Sequence, residues 1–254
     1  YIKNIFKNLI IIDSIFLNLI CLPLKNTKLI SCKAEEVDHL LDNNFEYITV
    51  SPISNICKNF KSKNFNKNIY KFKDDYVKKM KLHISQQFPK ININKTFIFH
   101  HREPGYNNTS YERGSNIRNY LPSVKYLLSK GYFVIRLTHS TAKKLNINNI
   151  NYYEINTDRF INKMLQYYLI CKSRGLLCSS SGPGSIGSLF QKPVYHTNSV
   201  GINVHATNKY SIYLLKKIKL NKKTITYKKA IKKNYFKFYL SRRYSVKKGY
   251  SLVE

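Results

Sequence analysis

Between Thr96 and Asn198 short apolar runs alternate with longer amphipathic ones, and this alternation constrains the fold more than any other property of the chain. "TFIFHH", "YFVIRLT", "NINYYEI", "GLLCSSS" and "PVYHTN" read as strands; "IRNYLPSVKYLLSKG", "RFINKMLQYYLICKS" and "SIGSLFQ" read as helices. Strands separated by helices predict a parallel sheet with crossover helices on its faces. In such sheets ligands collect at the carboxyl ends of the strands. Three polar clusters fall there: "HHREPGY", "RLTHST" and "SSSGPGSIG".

Upstream the pattern is less regular. "DDYVKKMKLHISQQF" predicts a helix, with Val77, Met80, Ile84 and Phe88 at helical spacing and Asp74 and Asp75 at its positive end. "PKININK" reads as a linker, which divides the chain into an N-terminal domain, 1–94, and a C-terminal domain, 95–254. The first residue is Tyr1 rather than Met, and "GYSLVE" stops within a patterned segment, so both ends read as those of a fragment and the first domain as incomplete. The opening 24 residues place Lys3, Asn4, Lys7, Asn8, Ser14 and Asn18 on one side at 100° per residue, which predicts an amphipathic helix on a core or a bilayer surface. Between these segments "KLISC" is a short apolar run, "FEYITVSP" reads as a strand and "ICKNFKSKNFNKNIYKFK" as a loop.

Charge narrows the partners. Lys and Arg number 44 against 13 Asp and Glu, a formal net charge of +31. A surface of that sign draws phosphate-bearing molecules: nucleotide-activated substrates, anionic lipid or nucleic acid. The segment from Ser199 to Glu254 concentrates the excess, with basic doublets such as Lys216–Lys217 and Arg242–Arg243 interleaved with tyrosines, and "KYSIYLLKKIKL" within it reads as an ordinary element with a solvated basic face. The five cysteines form no C-x-x-C pair, which fits reduced thiols in a cytoplasmic protein.

Gly182, Gly184 and Gly187 have G-x-G-x-x-G spacing behind an apolar run. A nicotinamide site needs an acid about 20 residues further on, whereas no Asp or Glu occurs between Asp158 and Glu254. A Walker loop needs a lysine after its last glycine, and none is there. What remains is a strand, Ser179 to Ser181, and glycines opening a helix: hydroxyls and amides aimed at an anion, or a tight turn that permits close packing. "HHREPGY" adds His100, Arg102 and Glu103 at a strand end, and Arg136 ends an otherwise apolar strand.

Taken together, "HHREPGY", "RGSNIRNYLPSVKYLLSKGYFVIRL" and "LLCSSSGPGSIGSLFQKPVYHTN" resemble a bacterial family of glycosyltransferases associated with surface-polysaccharide synthesis. The family pattern reads H-x-R-E-x-G-Y, R-N-A-D-I-x-N-Y, V-I-R-M-G, then a T-S-G turn before F-G-K-P-V and T-N. His100, Arg102, Glu103, Gly105 and Tyr106 match the first element; Arg113, Ile117, Asn119 and Tyr120 the second; Val134, Ile135 and Arg136 the third. Ser181 and Gly182 match the turn, ahead of Phe190, Lys192, Pro193, Val194, Thr197 and Asn198. Gly114, Ser115 and Asn116 depart from Asn-Ala-Asp, Thr138 from the glycine of the third element, and Gln166 stands in a helix position where the family has an acid.

The resemblance implies a GT-B-like α/β architecture, two Rossmann-like domains with parallel sheets, the donor held by the C-terminal one, and distant kinship to fucosyltransferase-like enzymes. It implies transfer from a nucleotide sugar to a polysaccharide or lipid-linked acceptor, with no cofactor and no metal. Asp-x-Asp, the usual metal anchor of the other main architecture, occurs nowhere in the chain. Glu103 or His100 is then the catalytic base; Arg102, Arg113, Arg136, Ser180, Ser181, Gly182, Gly184 and Asn198 hold the donor; Tyr106, Asn119 and Tyr120 serve the acceptor or the structure. The expected place is the cytoplasm or the inner face of the membrane, with contact to anionic lipid and none to nucleic acid. The alternatives are a non-catalytic binder of nucleic acid or anionic membrane, and an inactive relative of the glycosyltransferases.

Overall fold

The computed structural model describes residues 10–12, 20–21, 28–30, 71–103, 114–199, 210–232 and 250–253. Tyr106, Arg113, the strand expected in "FEYITVSP" and the Arg242–Arg243 doublet lie outside these residues. Four short strands come first: β1 (Ile10–Ile12), β2 (Ile20–Cys21), β3 (Lys28–Ile30) and β4 (Lys71–Phe72). β1 runs parallel to β3, and β2 antiparallel to β4. They correct the expectation of an opening amphipathic helix. Apolar runs of three or four residues suit helix and strand equally by pattern, and a partner strand decides. β4 likewise stands at the end of the expected Asn/Lys-rich loop.

The expected alternation then follows. β5 (Thr96–His100), β6 (Phe133–Thr138), β7 (Tyr152–Asn156), β8 (Gly175–Cys178), β9 (Val194–Ser199) and β10 (Ile212–Leu215) form one sheet in the order β10-β9-β8-β5-β6-β7, parallel throughout. From β5 the chain moves outward one way through β6 to β7, returns to lay β8 on the other side of β5, and moves outward again. This is the 3-2-1-4-5-6 order of doubly wound nucleotide folds, with its switch point between β5 and β8. The fold is α/β and Rossmann-like, as expected.

Among the described residues the α-helices are α1 (Asp74–Gln87), α2 (Leu121–Ser129), α3 (Phe160–Lys172), α4 (Gly182–Leu189) and α5 (Tyr227–Lys232). Right-handed crossovers that travel in opposite directions must put their helices on opposite faces. The packing obeys this: Val124 and Leu128 of α2 meet Phe99, Val134 and Leu177 on one face. On the other, Met164, Leu165 and Leu169 of α3 and Tyr76 and Met80 of α1 meet Ile98, Ile135, Leu137 and Leu176. Tyr76 Oη also donates to the Met164 carbonyl at 2.6 Å, which ties α1 to α3. α2 closes at Gly131, whose φ of +76° supplies the left-handed exit foreseen from its position after Lys130. Between β6 and β7 there is no described helix; Leu145 and Ile147 of the connection pack against the α2 face instead.

"KYSIYLLKKIKL" is two strands. β10 ends at Leu215, and β11 (Lys217–Leu220) starts an antiparallel sheet ordered β12-β11-β13 with β12 (Lys223–Ile225) and β13 (Tyr250–Val253). The doublet between them divides: Lys217 is exposed, whereas Lys216 is buried and donates through Nζ to the Gly114 carbonyl. Among the described residues no helix is long and apolar enough to cross a membrane.

α4 begins at Gly182, three residues earlier than the expected helix, so the glycines lie inside its first two turns. Their reasons differ. A Cβ on Gly187 would press on Val194 Cγ2 at 3.0 Å, which is helix packing, and one on Gly184 would stand 2.6 Å from His196 Cε1 and 2.9 Å from Cys178 Sγ. Around Gly182 nothing lies within 4 Å. We therefore expect Gly184→Ala to destabilise the protein by about 1–3 kcal/mol, as overpacking does, and Gly182→Ala to leave the melting temperature nearly unchanged; calorimetric melts of the two variants compare them directly.

Candidate functional site

The switch point is a crevice with two lips. One is the exit of β5, His100 to Glu103; the other is the exit of β8, Ser179 to Gly182. Parallel register sets His100 opposite Cys178 and carries both segments off the sheet together. Hydrogen bonds then lace them: the Ser179 amide donates to the His100 carbonyl at 3.1 Å, and the Arg102 amide donates to Ser179 Oγ at 2.8 Å. Ser181 Oγ lies 3.0 Å from His100 Nδ1 and 3.1 Å from the Ser179 carbonyl. With the serine proton on that carbonyl, His100 Nδ1–H is the donor. Ser181 is the N-cap residue of α4 but spends its hydroxyl on the opposite lip rather than on its own helix.

Arg136 sits below the first lip. Register places it directly across from Glu154, and its Nη1 donates to Glu154 Oε1 at 2.9 Å and to the Lys143 carbonyl at 2.7 Å. Its Nη2 lies 3.7 Å from Glu103 Oε1, while Glu103 Oε2 lies 3.7 Å from His139 Nε2. The guanidinium is 1% exposed, the Glu103 side chain 26%. Arg136 is thus a buried cation between two carboxylates, and Glu103 is the partner that reaches the opening. Glu154 Oε1 is further held by Tyr152 Oη at 2.7 Å and the Leu145 amide at 2.9 Å.

The remaining expected site residues divide. Ser180 is buried, with Oγ 3.3 Å from Ser199 Oγ; the Gly184 amide donates to the Ser181 carbonyl at 3.2 Å. Gly182 is exposed at the start of α4, and an incoming group can approach the backbone there. Tyr120 is buried under the first lip, its Oη 3.0 Å from Ser115 Oγ and within bonding distance of Thr197 and Asn198. Burial raises the pKa of that phenol. Asn198 has a φ of +50°, which turns the end of β9 toward Tyr120; Asn119 is exposed. His100 and Ser181 therefore meet across the lips, the Arg102 backbone bonds Ser179, and Glu103 pairs with Arg136 and His139, while Gly182 follows Ser181 at the start of α4.

Two residues given no role from the sequence, His139 and Glu154, belong to the arrangement. Glu154 had a signal, since an acid inside "NINYYEI" beside a strand containing Arg136 is a rare residue in a chain this basic. Ser179, read with Ser180 and Ser181 as a hydroxyl aimed at an anion, instead accepts from the Arg102 amide. An open cleft of about 460 Å³ lies at the carboxyl end of β7 between α1 and α3, lined by His83, Gln87, Phe88, Arg159 and Asn162 and by Glu154, the partner of Arg136.

Two histidines of the first lip are held neutral. Loss of hydration, then His139, Arg102 and Arg136, lowers His100 to about 4. Loss of hydration, then Arg136, lowers His101 to about 3, where its ring stacks on Phe99 at 5.9 Å. Both folded values lie below the ordinary 6.5, so the unfolded chain binds these protons more readily. Their contribution is complete above pH 6.5 and is lost as the pH falls toward 4. We expect stability to drop by roughly 1–2 kcal/mol per histidine between pH 6.5 and 5, and His101→Phe to flatten that slope in thermal melts across the range.

Glu154→Gln tests the ion pair. Removing one partner strands a buried guanidinium, and we expect a loss of about 3–5 kcal/mol by chemical denaturation, against less than about 1 kcal/mol for Lys143→Ala, which leaves the Lys143 carbonyl in place.

No family model matches the chain, and no curated protein matches it. Among solved structures it is similar to the E. coli ADP-heptose LPS heptosyltransferase II, at 12% identity and a TM-score of 0.42 over 54% of this chain and 43% of that one. It is similar to an E. coli heptosyltransferase with ADP at 10% identity and a TM-score of 0.41, covering 61% and 48%. It is similar also to the UDP-GlcNAc 2-epimerase from Methanocaldococcus jannaschii at 13% and 0.38, covering 85% and 56%. The chain spans about half the length of these proteins. At scores of this size, the chemistry rests on the residues of the crevice.

Proposed function

We propose that the protein is a glycosyltransferase of the GT-B kind, moving a sugar from a nucleotide-sugar donor to a saccharide or lipid-linked acceptor. The observation that supports this is the β5/β8 switch point, where the segment carrying the Glu103–Arg136 pair is bonded to the turn that opens α4. Residues 95–254 hold the donor in this reading, and an N-terminal domain completes the cleft.

Each group has a task that its position allows. The donor diphosphate lies over the start of α4, where Gly182 leaves the backbone approachable and the helix dipole favours negative charge. Arg102 neutralises it from the opposite lip, and the Ser181 hydroxyl turns its proton from the Ser179 carbonyl to the leaving phosphate as charge grows there, with His100 Nδ1–H still donating to its oxygen. Glu103 takes the proton of the acceptor hydroxyl. Arg136 and His139 hold the two oxygens of that carboxylate in place, so Arg136 is a positioning residue in this scheme and not a phosphate ligand. His100, held neutral, accepts or donates a hydrogen bond without adding charge and serves less well than Glu103 as base. Buried Ser180 and Gly184 and half-buried Asn198 support the lips, and Tyr120 bonds Ser115.

The proposal separates binding from turnover. Titration calorimetry with UDP, GDP and ADP should give binding of at least one nucleotide that Arg102→Ala weakens by tenfold or more, whereas Glu103→Gln should bind as wild type. With a donor so identified, Glu103→Gln should lower kcat by about 10²–10⁴-fold, the range for loss of a general base. Equal and negligible binding of all three nucleotides by wild type and Arg102→Ala would sink the donor-site assignment. Normal binding with no transfer by wild type would identify the inactive relative instead.

A further inference from the structure

β10 leaves the main sheet with an unfinished edge. Among the described residues it pairs with β9 alone, Ile212 opposite Tyr195 and Tyr213 opposite His196. Tyr213 turns inward and stacks on His196, ring centroids 4.4 Å apart and planes within 7°. Strand alternation sends Ile212 and Leu214 to the other face, that of α2, whose apolar cluster reaches Leu177 of β8 and Tyr195 of β9 and includes neither Ile212 nor Leu214. They are 60% and 66% exposed, and Tyr210, two residues ahead, is 47% exposed. An aliphatic pair of this kind on a strand edge is costly in water and invites a partner.

The neighbouring unit says which partner. β11, β12, β13 and α5 spend their apolar side chains on a small core of their own, Ile218 and Ala230 with Leu220, Ile225, Tyr227 and Leu252. What they leave outside is lysine: Lys217, Lys222, Lys223, Lys228, Lys229 and Lys232 are exposed, and residues 210–232 contain no Asp or Glu. The Tyr227 hydroxyl donates to the Lys216 carbonyl and fastens this unit to the end of β10. Single-stranded nucleic acid would be gripped through stacked aromatics along a basic groove. Projecting aliphatics beside an acid-free lysine surface match a bilayer instead, apolar side chains entering the acyl boundary while ammonium groups meet lipid phosphates.

We propose that the β10 edge, through Tyr210, Ile212 and Leu214, together with the lysines of the β11–α5 unit, docks on an anionic phospholipid bilayer. Docking is independent of the glycosyl-transfer reading, since it needs none of the crevice residues; a protein that transfers no sugar would still dock.

Vesicle co-sedimentation tests it. Wild type should partition onto phosphatidylcholine vesicles that contain phosphatidylglycerol and not onto phosphatidylcholine alone. Ile212→Asp with Leu214→Asp should weaken partition roughly tenfold or more at equal salt while leaving single-stranded DNA binding unchanged. Lys222→Glu with Lys223→Glu should weaken both. Because the chain has no tryptophan, Leu214→Trp adds a single reporter whose emission should shift to the blue on anionic vesicles and be quenched by brominated acyl chains. Wild-type binding that ignores phosphatidylglycerol, an aspartate variant that partitions like wild type, or a Leu214→Trp spectrum that vesicles leave unchanged would each overturn the proposal. So would an aspartate variant that turns a dimer into a monomer without affecting vesicle binding, because the edge would then be a contact between copies.

Discussion

The buried guanidinium of Arg136 is the constraint on which the crevice depends. A cation with 1% of its surface in contact with solvent needs close carboxylates, because the loss of hydration is far larger than a single carbonyl can offset. The sheet supplies one by register, Glu154 across the β6–β7 pair, and the loop after β5 supplies the other, Glu103. The consequence reaches the site directly. Glu103 is fixed because Arg136 must be neutralised, and the charge that stabilises the strand ends also aims the carboxylate at the opening.

The second lip is held by different means. Three consecutive serines turn in three directions: Ser179 to the Arg102 amide, Ser180 to Ser199, Ser181 to His100. Two of the bonds join the turn between β8 and α4 to the end of β5, and the third joins it to β9 on the other side. Glycine at 184 lets α4 sit against His196 and Cys178, while glycine at 182 leaves space. The three glycines therefore divide between packing and access, and the spacing that looked like one motif serves two ends.

Much of this architecture was legible in the residues. The strands and helices from Thr96 to Val194 follow from apolar alternation, and Gly131 marks the end of α2 because only a left-handed residue fits there. The three polar clusters stand, as expected, at the carboxyl ends of β5, β6 and β8. Other features were hidden for physical reasons. Ile10–Ile12 and Ile20–Cys21 became strands because pairing is a long-range event that a local pattern does not encode. Lys216 looked like half of a solvated doublet, yet strand alternation at the β10–β11 junction buries one lysine and exposes the next. Arg136 was visible as a cation at a strand end, but whether it faces a ligand or a carboxylate depends on which residue of the neighbouring strand lies opposite.

That register also reframes the departures from the glycosyltransferase pattern. Gly114, Ser115 and Asn116 replace a segment with an acid, and Gln166 stands where another acid is expected, yet the carboxylates that the crevice uses are elsewhere, at 103 and 154. Ser115 accepts its place through uncharged bonds, its amide to the Arg102 carbonyl and its hydroxyl to Tyr120, so the loop is anchored without the missing acid. Asn116 keeps a capping role, its Oδ1 accepting from the Arg118 amide at 3.0 Å. In a chain with 13 acids against 44 bases, the two glutamates among the described residues, Glu103 and Glu154, both pair with the buried Arg136, and the first is the group to which proton transfer is assigned.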